Sequence, residues 1–532
     1  MEPNQIIRSK KDLLSHFGSS LKLEIGNQQQ MKDLLEINVP SEIWEDASNR
    51  NLLSFNQELI QETKEFKFNY FNFRKIEHIY LLSFLTNLTE LNLDNNRITD
   101  ISAVSKLKNL NKLNLSYNSI EDISALQSLL NLTHLQLQQN KLTSYTLALP
   151  SLVDLKISCN KLQDKSGLQH SPKLEKLNLS ETETTDLRTI PPQLFGLKEL
   201  YLQSNNLTEI SYFSNFVDLQ NLSLGCNKQL QNIGPLQFCT QLTELRIQKT
   251  SVADLWSLQF MKQLKTLDMN DTQVVDLHPL QNLYKLEKIN AYEACIIDVS
   301  SLQKLTQLKD LYFSENKITN VDTLKHHNNF SECIVDLLIL KLGNNNQLQN
   351  IGPLKFCTQL TQLSIDKTSI ADIWPLQFLK NLNTLDISST KVVDLHPLQH
   401  LYRLEHITAN YACIIDVSPL SKLTQLIELS IWNNQISIID TLKHHNNFSE
   451  YDFSDQEVPT PYELKFYTKI LKVHSSHKQI RKIQAENKIS KIRESMTRYR
   501  ESIILNINEQ IRALNTKIKI WAQFIQSSEA DQ

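Results

Sequence analysis

The sequence predicts an α/β solenoid, a curved horseshoe or arc with a parallel sheet on its concave side, short helical turns on its convex side and a C-terminal α-helical module. Three observations predict it. The pattern L-x-x-L-x-L-x-x-N-x-I/L, clear at Leu88, Leu91, Leu93, Asn96 and Ile98, recurs from Leu88 to Leu426, mostly at intervals of 22 or 23 residues. A period in this range belongs to chains that stack coil on coil. Within each copy the x-L-x-L-x stretch alternates apolar and polar residues, the period of a half-buried strand. From Glu463 to Ser527 there is neither Pro nor Gly, and apolar residues from Ile489 to Ile525 step by threes and fours, as an amphipathic helix requires.

Residues 1–65 are expected to form a helical cap. Met31, Leu34 and Leu35 are helically spaced, and Ser41 to Phe66 opens with a Ser and a Glu, as helix starts do. Such a cap covers the apolar core and unpaired strand edge that an open solenoid end exposes. The solenoid is assigned to 66–450, about 16–17 repeats, the first an atypical one at Phe71, Ile76, Ile79, Leu82 and Leu85. Its Asn position holds Thr in five repeats (Thr182, Thr250, Thr272, Thr368, Thr390) and Ala in two (Ala294, Ala412). A buried amide or hydroxyl there satisfies backbone groups freed as the chain leaves the strand. Ala cannot, so those two coils are expected to be less well tied. Asp100, Asp122, Asp254, Asp276, Asp298, Asp372, Asp394 and Asp416 stand where a short helical turn needs a cap, with Pro279, Pro375, Pro397 and Pro419 near its first position. Capping explains their regular spacing more simply than a metal array does. Residues 451–462 read as a Pro-marked linker. Residues 463–532 read as a basic amphipathic helix or helical hairpin, forming a coiled coil or packing back on the solenoid.

With these residues in place, the repeat resembles the 22-residue leucine-rich repeats of bacterial internalins and of the regulatory subunit of type-one protein phosphatase, over roughly residues 66–450. The resemblance implies a curved leucine-rich-repeat solenoid that binds another protein, usually with its concave sheet. It does not imply which protein, because the consensus residues are structural ones.

A longer repeat lies over the short one. Residues 222–332 realign onto 340–450 at a constant offset of 118, with 76 identities in 111 positions. Each block ends in the same irregular stretch, Leu324 to Glu332 and Leu442 to Glu450, where a bulge is expected because the interval from Leu308 to Leu337 is 29 residues. The differences are not spread evenly. Of the 14 positions that flank the inner leucines on the concave side, 11 differ between blocks, against 24 of the remaining 97. Outer residues such as Asp276, His278, Pro279, Gln281, Tyr284 and Glu287 are unchanged. The candidate partner-binding residues are therefore Tyr201, Glu244, Arg246, Asp268, Lys288, Tyr292, Tyr312, Asp366, Asp386, His406 and Trp432, with the aromatic residues as the strongest anchors. Sixteen strands about 4.8 Å apart give a face on the order of 75 Å long, enough for a folded domain.

Catalytic patterns do not emerge. With 8 glycines in 532 residues there is no GxxxxGK[ST], GxGxxG or GxSxG, and HExxH is absent. His326-His327, His444-His445, and His474 with His477 lack the further ligands a metal needs. No catalytic residue, metal or cofactor is assigned, and an enzyme is the least favoured class. The seven cysteines are scattered without CxxC spacing, which argues for buried reduced thiols. Net charge is −3, but Tyr462 to Ile520 carries 14 Lys plus Arg against 5 Asp plus Glu. Glutamates at helical spacing interrupt that run, which favours intrahelix pairing, a second protein contact or self-association over nucleic acid. Neither a secretory signal nor a transmembrane segment is seen, so the chain reads as a cytoplasmic interaction scaffold. The alternatives are a regulatory subunit of a Ser/Thr protein phosphatase and a secreted internalin-like adhesin.

Overall fold

The computed structural model describes residues 65–67, 79, 82–83, 86–324, 336–436 and 450–452. Within them the alternating segments form strands of three residues each, from β1 (Glu65–Lys67) and β2 (Glu90–Asn92) to β17 (Glu428–Ser430) and β18 (Glu450–Asp452). Each strand pairs in parallel with the next in sequence, and the middle leucines stand in register, Leu91 opposite Leu113 and Leu113 opposite Leu135. The result is an open sheet with β1 and β18 at its two ends.

Burial follows the pattern. The first leucine of all sixteen repeats, Leu88 to Leu426, is fully buried, and so are nearly all the leucines and isoleucines of the strands. Each such side chain contributes roughly 1.5–3 kcal/mol when taken out of water, and in a stack this contribution repeats coil by coil. Ile79 and Leu82 are buried in the atypical first repeat, whereas Phe71, Ile76 and Leu85 lie outside the described residues. So do the cap over 1–64, the histidine pairs, Cys333, the turns after Leu324 and most of the segment from 451 onward, the C-terminal helical module included.

Three details add to the sequence expectation. The outer turns are 3-10 segments of three to five residues, for example Ser102–Lys106 and His278–Leu280, and there is no α-helix among the described residues. A turn this short closes i to i+3 hydrogen bonds and stops before an α-helical ladder can start. At both ends the sheet reaches further than the repeat pattern suggests. Strand β1 takes Glu65 and Phe66 from the stretch read as helical, and β18 continues into Tyr451 and Asp452, read as linker. The long interval between Leu308 and Leu337 does not break the ladder either. Strand β12 (Asp310–Tyr312) pairs directly with β13 (Ile339–Lys341), and residues 325–335 lie outside the described set.

The Asn position works as a ladder. Asn118 Nδ2 donates to the Leu115 and Ser116 carbonyls of its own coil and to Leu93 of the coil before, at 3.0, 3.1 and 3.0 Å, while its Oδ1 accepts the Ile98 N–H at 2.9 Å. Asn140, Asn160, Asn227, Asn316, Asn345 and Asn434 also reach back to the preceding coil. Threonine reaches less far. Thr250 and Thr272 each donate only within their own coil, to Ile247 and Met269 carbonyls at 2.7 Å. The Ala294 coil, expected to be poorly tied, is held from the other side, because Asn316 bonds its Ala291 carbonyl at 2.7 Å and its Ile296 N–H at 2.9 Å. The gap in the ladder is thus displaced toward the N-terminus. From Thr250 to Ala294 no side chain at this position reaches the coil before it, and the same holds from Thr368 to Ala412.

The residue just before the ladder position has a positive φ in all sixteen repeats, from Asn95 at 59° to Asn433 at 56°, and none of them is glycine. This left-handed step turns the chain out of the strand, at a cost that L-residues rarely accept. The eight aspartates all accept the first turn N–H, two residues on, at 2.8–2.9 Å. The carboxylate stands one position ahead of the formal cap residue, which makes this an Asx-type turn. Asp164 does the same, Asp186 accepts the Arg188 N–H as the cap residue itself, and Asn232 and Asn350 supply an amide instead.

Candidate interaction face

Because strand side chains alternate, the two residues flanking each buried leucine point to the side of the sheet away from the core. Register then sets them in columns. Glu244, Thr266, Lys288 and Asp310 stand side by side, as do Tyr201, Ser223, Arg246, Asp268, Asn290 and Tyr312. The same columns continue through Lys341, Ser364 and Asp386, and His406 lies opposite Glu428. Of the eleven candidates, Tyr292 is exposed and the other ten are half-buried against their neighbours.

The first block presents a mixed, partly paired surface. Arg246 donates to Glu244 at 2.5 Å, and Asp268 accepts from Asn270 and Asn290 at 2.7 and 3.1 Å. Lys288 Nζ sits 5.2 Å from the centre of the Tyr312 ring, within cation–π range. Burial holds the Tyr312 hydroxyl above its ordinary pKa, Asp310 adding to the effect, and the charge of Glu315 does so for Tyr292. Burial, reinforced by Glu199, pushes Tyr201 up to about 12. All three are therefore neutral phenols, and Tyr201 already donates to the Glu199 carboxylate at 3.1 Å.

The second block is different. Asp366 accepts from Ser364, and Asp386 accepts the Ser388 N–H at 3.0 Å. Burial raises the pKa of Asp386 against the lowering effect of its Ser388 hydrogen bonds, and the charge of Asp366 adds to the rise while Lys341 opposes it. His406 contacts Glu428 at 3.1 Å, and Trp432 meets Tyr411 edge to face at 4.3 Å between ring centres. Tyr411 was not picked out from the sequence. It occupies the left-handed position before Ala412, where a side chain emerges beside the sheet, and that conformation has no residue signature here.

Not every position counted as part of this face is open. Ser223, Ser364, Gly225 and Gly343 are buried between neighbouring strands. A Cβ on Gly225 would fall inside the Gln248 side chain, and one on Gly343 inside that of Asp366. The glycines persist in both blocks because the next strand's side chain lies flat across them. The cysteines divide similarly. Cys239 and Cys357 are buried, but Cys159, Cys226, Cys295 and Cys413 are half-buried, so burial does not extend to all; the six described ones are free thiols. Among the described residues no group of three His, Cys, Asp or Glu side chains converges as metal ligands.

Residues 86–128 match the family described as Leucine Rich repeats (2 copies). A leucine-rich-repeat protein of Leptospira interrogans is similar in structure, with a TM-score of 0.60 and 21% identity over 75% of this chain and 98% of its own. The fold is a leucine-rich-repeat solenoid. The plant peptide hormone receptor RGFR1, solved in complex with RGF2, shares this solenoid with a TM-score of 0.56 and 19% identity over 69% of this chain and 63% of its own. An internalin of Listeria monocytogenes aligns at 24% identity over 80% of this chain and 98% of its own, with a TM-score of 0.40. No curated protein sequence matches the chain. Among the described residues no helix of the solenoid is long and apolar enough to cross a membrane.

Proposed function

We propose that the chain is a non-catalytic protein-interaction scaffold that captures a folded partner on the concave side of its sheet. The observation that carries this reading is the uneven divergence of the two blocks, 11 of 14 sheet-face positions against 24 of 97 elsewhere. Exposure alone does not account for it, since Tyr284 and its counterpart Tyr402 are as exposed as Tyr292 and did not change. The face combines aromatic groups with charges held in place by neighbours, the composition that supplies binding anchors at interfaces. The six free thiols suit a reducing compartment, which favours an intracellular scaffold over an exported adhesin.

Affinity capture with mass spectrometry tests the reading, using the full chain, residues 1–450 and a Tyr292→Ala/Tyr312→Ala variant. Removing two anchors is expected to weaken recovery of the partner about tenfold or more, with melting temperature unchanged. Equal recovery by variant and parent would sink the assignment of the face.

A further inference from the structure

The outer side of the solenoid carries a second repeated surface, of opposite history to the sheet face. Trp256 and Phe260 open and close the turn Trp256–Phe260, their rings edge to face at 5.3 Å, and Tyr284 follows on the next coil. Trp374, Phe378 and Tyr402 hold the same places 118 residues on. All six are exposed, and in matching degree: Trp256 is 55% accessible and Trp374 49%, while both tyrosines are 53% accessible. Large aromatic side chains in water at such levels, retained at the same three places in two diverged copies, serve no packing requirement of the coil. The turn of the coil before adds a further aromatic at the place of Phe260, Phe238, 49% accessible, with Phe356 as its counterpart, whereas the corresponding turn of the following coil carries His278 and Asn282, or His396 and His400.

Charge points to what covers them. Lys262 and Lys285 flank Tyr284, and Lys380 and Arg403 flank Tyr402. Lys285 donates to the Gln263 amide oxygen at 2.5 Å and Arg403 to that of Asn381 at 2.7 Å, so at both places the cation is held by a neutral group. The carboxylates beside the tryptophans, Asp254 and Asp372, are already engaged with the Trp256 and Trp374 backbone N–H groups.

We propose that these two patches are equivalent docking sites for an acidic peptide segment that carries an aromatic or leucine anchor, one segment per block. The anchor covers the Trp–Phe pair and the carboxylates meet Lys262 and Lys285, or Lys380 and Arg403. Five coils separate the sites, roughly 25 Å along the stack at the strand spacing of a sheet. A partner that presents its acidic motif twice engages both and gains in avidity over either site alone. The polar turn that follows each patch interrupts the apolar surface, which favours a peptide over a lipid surface, to which a continuous apolar band is better suited.

The test is selection of random peptides displayed on phage by the full chain, followed by titration of a selected peptide. The expected result is enrichment of acidic sequences with an aromatic residue or leucine, bound at two equivalents per chain. Trp256→Ala/Tyr284→Ala is expected to remove one equivalent and the further changes Trp374→Ala/Tyr402→Ala the other, with the circular dichroism spectrum unchanged. Lys285→Glu/Arg403→Glu, which touches no packed side chain, is expected to weaken both sites about tenfold or more. Selection of peptides without acidic bias, equal binding by the substituted chains, or capture by phosphatidylserine vesicles in place of peptide overturns the proposal.

Discussion

Residues 222–332 and 340–450 share a scaffold and differ in surface chemistry. The first block offers Arg246, Lys288 and the phenols of Tyr292 and Tyr312; the second offers Asp366, Asp386, His406 and the Trp432–Tyr411 pair. What both retain is what the coil needs: buried leucines, capping aspartates, and the glycines that let a neighbour's side chain lie flat. A change at a buried or capping position costs kilocalories, whereas an isolated surface change typically stays within about 0.5 kcal/mol. The sheet face was therefore free to diverge, and the aromatic patches outside it were equally free but did not. The contrast separates positions held by folding from those that folding leaves open.

The largest expected effect tests whether the scaffolds are equivalent. Leu267 and Leu385 are fully buried twins at the centres of β10 (Thr266–Asp268) and β15 (Thr384–Asp386). Leu267→Ala and Leu385→Ala are each expected to cost about 2–5 kcal/mol in urea denaturation, and to agree within about 0.5 kcal/mol. A larger gap would show that the copies no longer pack alike. Next come Asn316→Ala and Asn434→Ala. Each leaves the carbonyl of Ala291 or Ala409 and the N–H of Ile296 or Ile414 without its side-chain partner, so about 1–3 kcal/mol is expected. Amide hydrogen exchange should place the loss in the Ala294 and Ala412 coils; protection unchanged there would refute the ladder as their tie.

The smallest effect sharpens the difference between blocks. Asp386 has a folded-state pKa raised by burial, so between the unfolded and folded pKa the folded chain holds more proton than the unfolded one. Its contribution to stability is then greatest at acidic pH and is lost as pH rises through the folded pKa. Asp386→Asn is expected to stabilise the chain at neutral pH, by no more than about 1 kcal/mol given solvent screening, and to flatten the acid side of a melting-temperature profile. A lower melting temperature at neutral pH would contradict this.

Much of the fold was legible because spacing alone specifies it. A leucine every 22 or 23 residues fixes strand, register and core, and an aspartate two residues ahead of a turn fixes the cap. The left-handed step was not legible, since Asn, Tyr, Gln, Cys, Glu, Ser and Lys all occupy it and glycine never does. The displaced gap in the Asn ladder was hidden for another reason: Asn316 acts on the coil before its own, so a residue's identity reports on a neighbour's stability. On the candidate face, alternation identified the side but not the openness of Ser223 or Ser364, which depends on how adjacent side chains lie. Trp256 and Trp374 were visible as letters but not as a surface, because the turn that presents them is set by packing rather than by its own sequence.

The in-register pairing of β13 has a consequence for how such a chain can change in length. Leu222, at the centre of β8 (Asn221–Ser223), follows Leu200 of β7 (Glu199–Tyr201), whereas its counterpart Leu340 follows Leu311 of β12. One strand seat has thus accepted two different upstream neighbours with no change of alignment. Inheritance can add or remove such a block whole, and the molecule grows or shrinks as a sentence does by a clause, its grammar intact at the join.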